Sequence, residues 1–286
     1  FLIALILIIS LVYFIGGNSM NSIKTIPSHV GVDSVKELKN IPLKDFFKNP
    51  EMSSFKLSPD GSYISYMKPW EGGNRMMNVY VRPIDSDNEV RITAASKRSL
   101  YGYFWLNENR IAYVQDEGGD ENVHIYAVNI DGSNNIDLTP FKDIQARITD
   151  DLEDNPDFIL VSLNKRNPQI HDVYRLNVNS GVMEMIAENP GNISGWMTDN
   201  DGKLRIATTS DGVNTGLLYR EKETDHFKSI LTTNFKESVS PLYFTFDNNE
   251  LYVSSNRGRD KSAIFKFNLD TAKEGELIFE HNEVDV

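Results

Sequence analysis

The feature that most constrains the fold of this chain is a short pattern that recurs five times along it. In the stretch FKLSPDGSYISYM, residues 55–67, the turn Pro59-Asp60-Gly61 precedes the strand-like run Tyr63–Met67. Glycine accepts the positive φ that tight turns require, and aromatic and β-branched residues favour strands. Similar runs follow polar turns further along the chain, at Ile111–Gln115, Ile159–Leu163, Leu204–Thr208 and Leu251–Ser255.

An aromatic strand follows each run, and a hairpin turn then leads to another strand. The aromatic residues lie at successive intervals of 46, 48, 45 and 46 residues, by subtraction, at Tyr80, Tyr126, Tyr174, Tyr219 and Phe265. Short strands in units of about 40–50 residues are typical of β-propellers. One blade cannot bury both of its faces, so neighbouring blades must stack. We therefore predict an all-β fold, a β-propeller of four-stranded blades; an open β-sandwich array would need no such constant period.

Five blades are visible between Phe55 and His281. The chain begins with Phe1 and stops at Val286, soon after the fifth unit and without a strand that would close a ring. We therefore expect an incomplete propeller that occupies residues 46–286, although a five-bladed ring is the alternative.

The first fifteen residues, FLIALILIISLVYFI, are apolar apart from Ser10 and the Tyr13 hydroxyl. This run is short for a membrane-spanning helix and suits the apolar region of a signal peptide. We predict that residues 1–17 are a signal peptide or a signal anchor and that residues 18–45 are a linker. The protein is then exported, and it is either periplasmic or anchored in the membrane through residues 1–15; a buried core helix is the alternative.

Charge and composition exclude several classes of function. The 41 acidic and 29 basic residues give a net charge of -12, which argues against a nucleic-acid partner. The absence of cysteine excludes disulfides, thiolate nucleophiles and cysteine-based zinc sites. No glycine-rich phosphate loop is present, and we expect no cofactor.

Candidate catalytic residues are few. The string nearest to the G-x-S-x-G of serine hydrolases is Gly191–Gly195, whose spacing is wrong, and we assign Ser194 to a turn between blades. No histidine pair has the spacing of metal ligands, and structural roles are expected for His29, His124, His171, His226 and His281. We predict no catalytic, cofactor-binding or metal-binding residue in this chain.

Charged residues gather in several loops. Turn and solvated-loop roles are expected for three carboxylate clusters, Asp116-Glu117 with Asp120-Glu121, Asp150-Asp151 with Glu153-Asp154, and Asp199 with Asp201. The last resembles half of a calcium loop without its downstream glutamate. Two basic loops, residues 164–167 and 256–260, are either substrate clamps or solvated surface.

The segment IPLKDFFKNPEMSSFKLSPDGSYISYMKP, residues 41–69, resembles the propeller entry of prolyl oligopeptidase family serine peptidases. Residues 120–132, 163–181 and 255–268 are similar to later blades of acylaminoacyl-peptidase and dipeptidyl-peptidase-like members. The resemblance runs from about Ile41 to the end of the chain. The S-P-D-G motif alone is weak, since TolB-like propellers share it.

This resemblance implies a two-domain serine peptidase that hydrolyses short peptides. Its propeller encloses the active-site cavity and gates access to a C-terminal α/β-hydrolase domain, which carries Ser, Asp and His in that order. None of those three residues lies in this chain, so the partners expected of the propeller are peptide substrates and its own hydrolase domain. The alternative is a non-catalytic, TolB-like periplasmic binding propeller.

Overall fold

The computed structural model describes residues 41–286. Residues 49–286 form one compact unit that contains five four-stranded antiparallel sheets, each with its strands in chain order. The prediction of an all-β propeller of four-stranded blades is therefore confirmed. Residues 41–48 belong to a separate unit, in which Leu43–Phe46 forms a single 3-10 turn.

The blades follow one another along the chain. Blade 1 comprises β1 (Ser53–Leu57), β2 (Tyr63–Trp70), β3 (Met76–Pro83) and β4 (Val90–Arg91). Blade 2 comprises β5 (Gly102–Asn107), β6 (Arg110–Gln115), β7 (His124–Asn129) and β8 (Ile136–Asp137). Blade 3 comprises β9 (Ala146–Asp150), β10 (Phe158–Asn167), β11 (Ile170–Asn177) and β12 (Met183–Ala187). Blade 4 comprises β13 (Ile193–Thr198), β14 (Leu204–Ser210), β15 (Thr215–Tyr219) and β16 (Lys228–Thr233). Blade 5 comprises β17 (Val239–Phe244), β18 (Glu250–Ser255), β19 (Ala263–Asn268) and β20 (Lys273–Phe279).

The runs that define the repeat are the second strands of the blades, and the aromatic strands are the third. In blades 2 to 5 the aromatic residue lies opposite the third residue of the run, as Tyr126 lies opposite Tyr113. In blade 1, however, Tyr80 lies opposite Tyr66, the fourth residue of its run. The first unit is therefore offset by one residue from the frame of the sequence repeat.

The first strand of each blade precedes the polar turn, and the sequence pattern did not identify these strands. All residues of β1 after Ser53 are exposed, and β13 has no fully buried residue. The second strands are more deeply buried, as in β10, where the six consecutive residues from Ile159 to Asn164 are all buried. Buried second strands therefore stand out in the sequence, whereas exposed first strands such as β1 do not.

The hydrophobic core consists of four clusters, and each is shared by two consecutive blades. The cluster between blades 1 and 2 includes Val79 and Ile111, and the cluster between blades 2 and 3 includes Ile125 and Ile159. Two further clusters join blade 3 to blade 4 (Leu160, Val173, Leu204) and blade 4 to blade 5 (Ile206, Leu217, Phe267). Each blade therefore buries its apolar faces against its neighbours, as the repeat requires.

A polar residue two positions before the repeat aromatic reinforces each of the first three blades. Asn78 bonds to Thr93 and Ala95, His124 bonds to Asp137, and Asp172 accepts from Asn189. These bonds tie the third strand to the chain that follows it. Leu217 and Ala263 occupy the same position in blades 4 and 5 and bury apolar surface instead.

Within residues 41–286, no helix is long and apolar enough to cross a membrane. The predicted signal segment, residues 1–17, and the predicted linker up to residue 40 lie outside the described residues.

Candidate ligand-binding cavities between blades 3 and 4

A large cavity, here called the acidic cavity, lies beside the loops that follow β9 and β13. Its volume is about 720 Å³, and Phe158, Arg175 and Lys203 contribute to its wall. The structure brings together two of the carboxylate clusters noted in the sequence. The acidic lining residues are Asp150, Asp151, Glu153, Asp154, Asp199 and Asp201.

Two of these carboxylates have structural roles. Asp199 is buried and accepts hydrogen bonds from the backbone N–H groups of Asp201 at 3.1 Å and Lys203 at 2.9 Å. It also pairs with Arg205 at 3.1 Å. Asp150 accepts from the backbone N–H of Leu152 at 2.7 Å. Both side chains therefore stabilise turns, as predicted, but Asp150 is itself the last residue of β9 and Asp199 is buried rather than solvated.

The acidic cavity has a charge suited to a cationic group, since Asp151, Glu153 and Asp154 form no side-chain ion pair within residues 41–286. Among the described residues, no group of three or more histidine or carboxylate side chains is placed to hold a metal ion. On the cavity wall, Arg175 Nη2 donates to both carboxylate oxygens of Glu223, at 2.9 and 3.1 Å, and this ion pair links blade 3 to blade 4.

A second cavity, here called the Arg147 cavity, has a volume of about 440 Å³ and lies between the same two blades. Its lining includes Arg147 of β9, Ser162 of β10, His171 of β11 and Trp196 of β13. The backbones of β9 and β13 approach each other to within 8 Å between Cα atoms, so the first strands of the two blades lie side by side at this cavity.

The polar lining of the Arg147 cavity is partly buried. His171 Nε2 is buried and has no hydrogen-bond partner among the described residues. Burial and the nearby Arg147 guanidinium lower the pKa of His171, while Asp172 and the backbone carbonyl of Gln145 act in the opposite direction. The imidazole is therefore mainly neutral at neutral pH, and Arg147 is the cation of this cavity.

The sequence suggested that Ser194 lies in a turn between blades, but the structure places it in a strand. It is the second residue of β13, where it is exposed, and its hydroxyl lies 3.3 Å from Thr208 Oγ1. The polar residues around it resemble a turn in composition, but pairing with β14 extends the strand back to Ile193. No histidine is hydrogen-bonded to Ser194 within residues 41–286, so this serine lacks the base that a nucleophile needs.

Asp116, a second acidic position expected in a turn or a solvated loop, is also buried. The Asp116 side chain accepts hydrogen bonds from Arg98 at 2.9 Å and the Tyr101 hydroxyl at 3.0 Å. It lies just beyond the end of β6, where the turn folds back over it, and this burial could not be deduced from the local sequence. Its neighbours Glu117 and Asp120 are exposed, as predicted.

Of the two basic loops expected from the sequence, residues 164–167 are instead the end of β10, and the charged side chains of both segments make internal contacts. Arg166 forms a bidentate ion pair with the buried Asp172, in which Nε and Nη2 each lie 2.9 Å from one carboxylate oxygen. Lys165 lies over the Phe141 ring, 3.7 Å from its centroid. In the other loop, Arg257 lies 3.8 Å from Glu274, and Arg259 pairs with Glu280. These side chains are therefore engaged within the propeller.

In sequence, the chain is similar to dipeptidyl peptidases, although no protein-family model matches it. Over 251 residues it is 34% identical to dipeptidyl aminopeptidase BIII of Pseudoxanthomonas mexicana, a match that covers 84% of this chain and 35% of that protein. The resemblance to peptidases of the prolyl oligopeptidase family is therefore confirmed.

A second curated relative and one solved structure are also similar to this chain. Dipeptidyl peptidase family member 6 of Caenorhabditis elegans is 24% identical over 259 residues, which cover 84% of this chain and 34% of that protein. The structure of Porphyromonas gingivalis dipeptidyl peptidase 4 matches with a TM-score of 0.55 at 13% identity, covering 80% of this chain and 39% of the other, and shows the shared fold alone. The chain spans about a third of the length of the curated relatives it matches.

Proposed function

We propose that this chain is the propeller portion of a serine peptidase that hydrolyses short peptides. The observation that carries the proposal is the 34% identity to a dipeptidyl aminopeptidase over 84% of the chain. In the whole protein, a hydrolase domain supplies the nucleophile, the base and the oxyanion donors, while the propeller restricts access to short or unstructured peptides.

This proposal predicts a division of activity between the parts of the protein. The whole gene product should release dipeptides from short peptide substrates and should lose that activity after treatment with a serine-directed fluorophosphonate. The 286-residue chain alone should neither cleave these peptides nor be labelled, because no histidine is hydrogen-bonded to Ser194 within residues 41–286. Peptide release followed by mass spectrometry, with labelling measured on the same samples, tests both expectations.

Two results would contradict the proposal. One is fluorophosphonate-sensitive cleavage by the 286-residue chain, which would place a catalytic site within it. The other is a whole protein without any peptidase activity, which would favour a binding propeller. A Ser194→Ala variant of the whole protein should still be labelled by the fluorophosphonate, because the proposed nucleophile lies in the hydrolase domain.

Export is a further part of the proposal. It is supported by the apolar run of residues 1–15, which has the length of a signal-peptide core. Deleting residues 1–17 from the whole protein should leave it in the cytoplasm, as measured by cell fractionation and immunoblotting. Equal export of the deleted and intact proteins would contradict the role assigned to this segment.

A further inference from the structure

The Arg147 cavity combines an arginine, an imidazole and hydroxyl groups on one face of blade 3. Arg147 lies directly opposite Ser162 in the β9–β10 register, so their side chains point to the same side of the sheet. Ser162 in turn lies opposite Val173, and His171 shares the face of Val173 because side chains alternate along a strand. Val173 packs in the cluster between blades 3 and 4, so this face is turned toward blade 4.

Arg147 differs from the other arginines of the chain. It forms no ion pair and donates no side-chain hydrogen bond within residues 41–286. Every other arginine has at least one such partner there: Arg75, Arg82, Arg91, Arg98, Arg110, Arg166, Arg175, Arg205, Arg220, Arg257 and Arg259. The guanidinium N–H groups of Arg147 are therefore available to a ligand.

The lining of the cavity contains no carboxylate from the described residues, although the chain has a net charge of -12. The nearest acidic neighbour in sequence, Asp172, lies on the opposite face of β11 and is already bonded to Arg166 and the Asn189 N–H. Ser162 is buried and makes no side-chain hydrogen bond among the described residues. The cavity therefore presents the Arg147 guanidinium without a carboxylate partner. The Ser162 hydroxyl and the Nε2 atom of His171 also have no hydrogen-bond partner among the described residues.

We propose that the Arg147 cavity binds the carboxylate of a peptide. The planar guanidinium of Arg147 matches the two oxygens of a carboxylate, and Ser162 and His171 supply hydrogen bonds beside it. Trp196 provides an aromatic wall for the adjacent part of the peptide. The link to peptides rests on the proposed function, while the selection of a carboxylate rests on the cavity itself.

Binding by the 286-residue chain, measured by isothermal titration calorimetry, tests the inference without requiring peptidase activity. Trialanine should bind, and trialanine amide should bind at least about tenfold more weakly because it lacks the charged acceptor. General attraction to an acidic protein would give the opposite order, since the amide carries the greater positive charge. Acetyl-Ala-Glu-Ala-amide, which has only a side-chain carboxylate, distinguishes the two sources of this group.

The variant Arg147→Gln should weaken trialanine binding by about tenfold or more, whereas Lys142→Gln should leave it unchanged. Lys142 is the matched control because its side chain is 90% exposed and it does not line the cavity. Circular dichroism should show unchanged folding of both variants. Equal binding of trialanine and its amide, unchanged binding by Arg147→Gln, or no binding of either carboxylate peptide would overturn the inference.

Activity of the whole protein separates this inference from the proposed function. Peptidase activity without carboxylate binding would overturn the cavity assignment and leave the function in place. Carboxylate binding by a protein without peptidase activity would support the cavity and contradict the function.

Discussion

Replacing Phe267 with alanine should lower the free energy of unfolding by about 3–5 kcal/mol, the cost typical of removing a fully buried phenylalanine. Phe267 lies in β19, has no exposed surface, and packs in the cluster shared by blades 4 and 5. The truncation removes apolar contacts and leaves a cavity that neighbours such as Ile206 and Leu217 cannot fill completely. Urea unfolding followed by far-UV circular dichroism measures the loss.

Phe246 is the matched control for this prediction, because it is 99% exposed. The same truncation there should change the free energy of unfolding by no more than about 0.5 kcal/mol. If the two variants lost equal stability, the shared cluster between blades 4 and 5 would not contribute as the packing indicates.

The propeller architecture was predictable because each repeat unit is marked by turn and strand residues that lie close together in the sequence. Each unit places a polar turn before a buried second strand and an aromatic residue in the third strand, and these features recur at almost constant intervals. The sequence pattern did not predict the first strands, because residues such as Phe55 and Ser194 are exposed and their strands lack a continuous apolar run. Pairing with the second strand, rather than local composition, determines their conformation.

The cavities were not predictable from the sequence. Arg147, His171 and Trp196 lie on three different strands of two blades, and their proximity depends on how blade 3 stacks on blade 4. The carboxylate clusters were visible as loops, but their convergence in the acidic cavity depends on the same stacking. The constant interval of the repeat and its turn residues identify each blade in the sequence. The stacking of one blade on the next, which these features do not describe, brings distant side chains together.

Replacing Asn78 with alanine should lower the free energy of unfolding by about 3 kcal/mol, because it leaves several buried polar groups without partners. The Asn78 side chain is completely buried. Its amide oxygen accepts from Thr93 Oγ1 at 2.9 Å and the Ala95 N–H at 2.7 Å. Its amide nitrogen donates to the carbonyls of Ala95 at 2.9 Å and Met76 at 3.0 Å. Urea unfolding measures the total effect.

Hydrogen exchange locates that effect within the blade. The Ala95 amide should exchange faster in Asn78→Ala, because its acceptor is removed, and the Val79 amide should follow, since its acceptor Thr93 Oγ1 is itself held by Asn78. Asn88→Ala is the matched control, because Asn88 is exposed and its side chain makes no hydrogen bond among the described residues. Unchanged protection of Ala95 in Asn78→Ala would show that this side chain does not hold the chain leaving blade 1. Faster exchange confined to Ala95 and Val79 would show that the connection to blade 2 depends on a single buried amide.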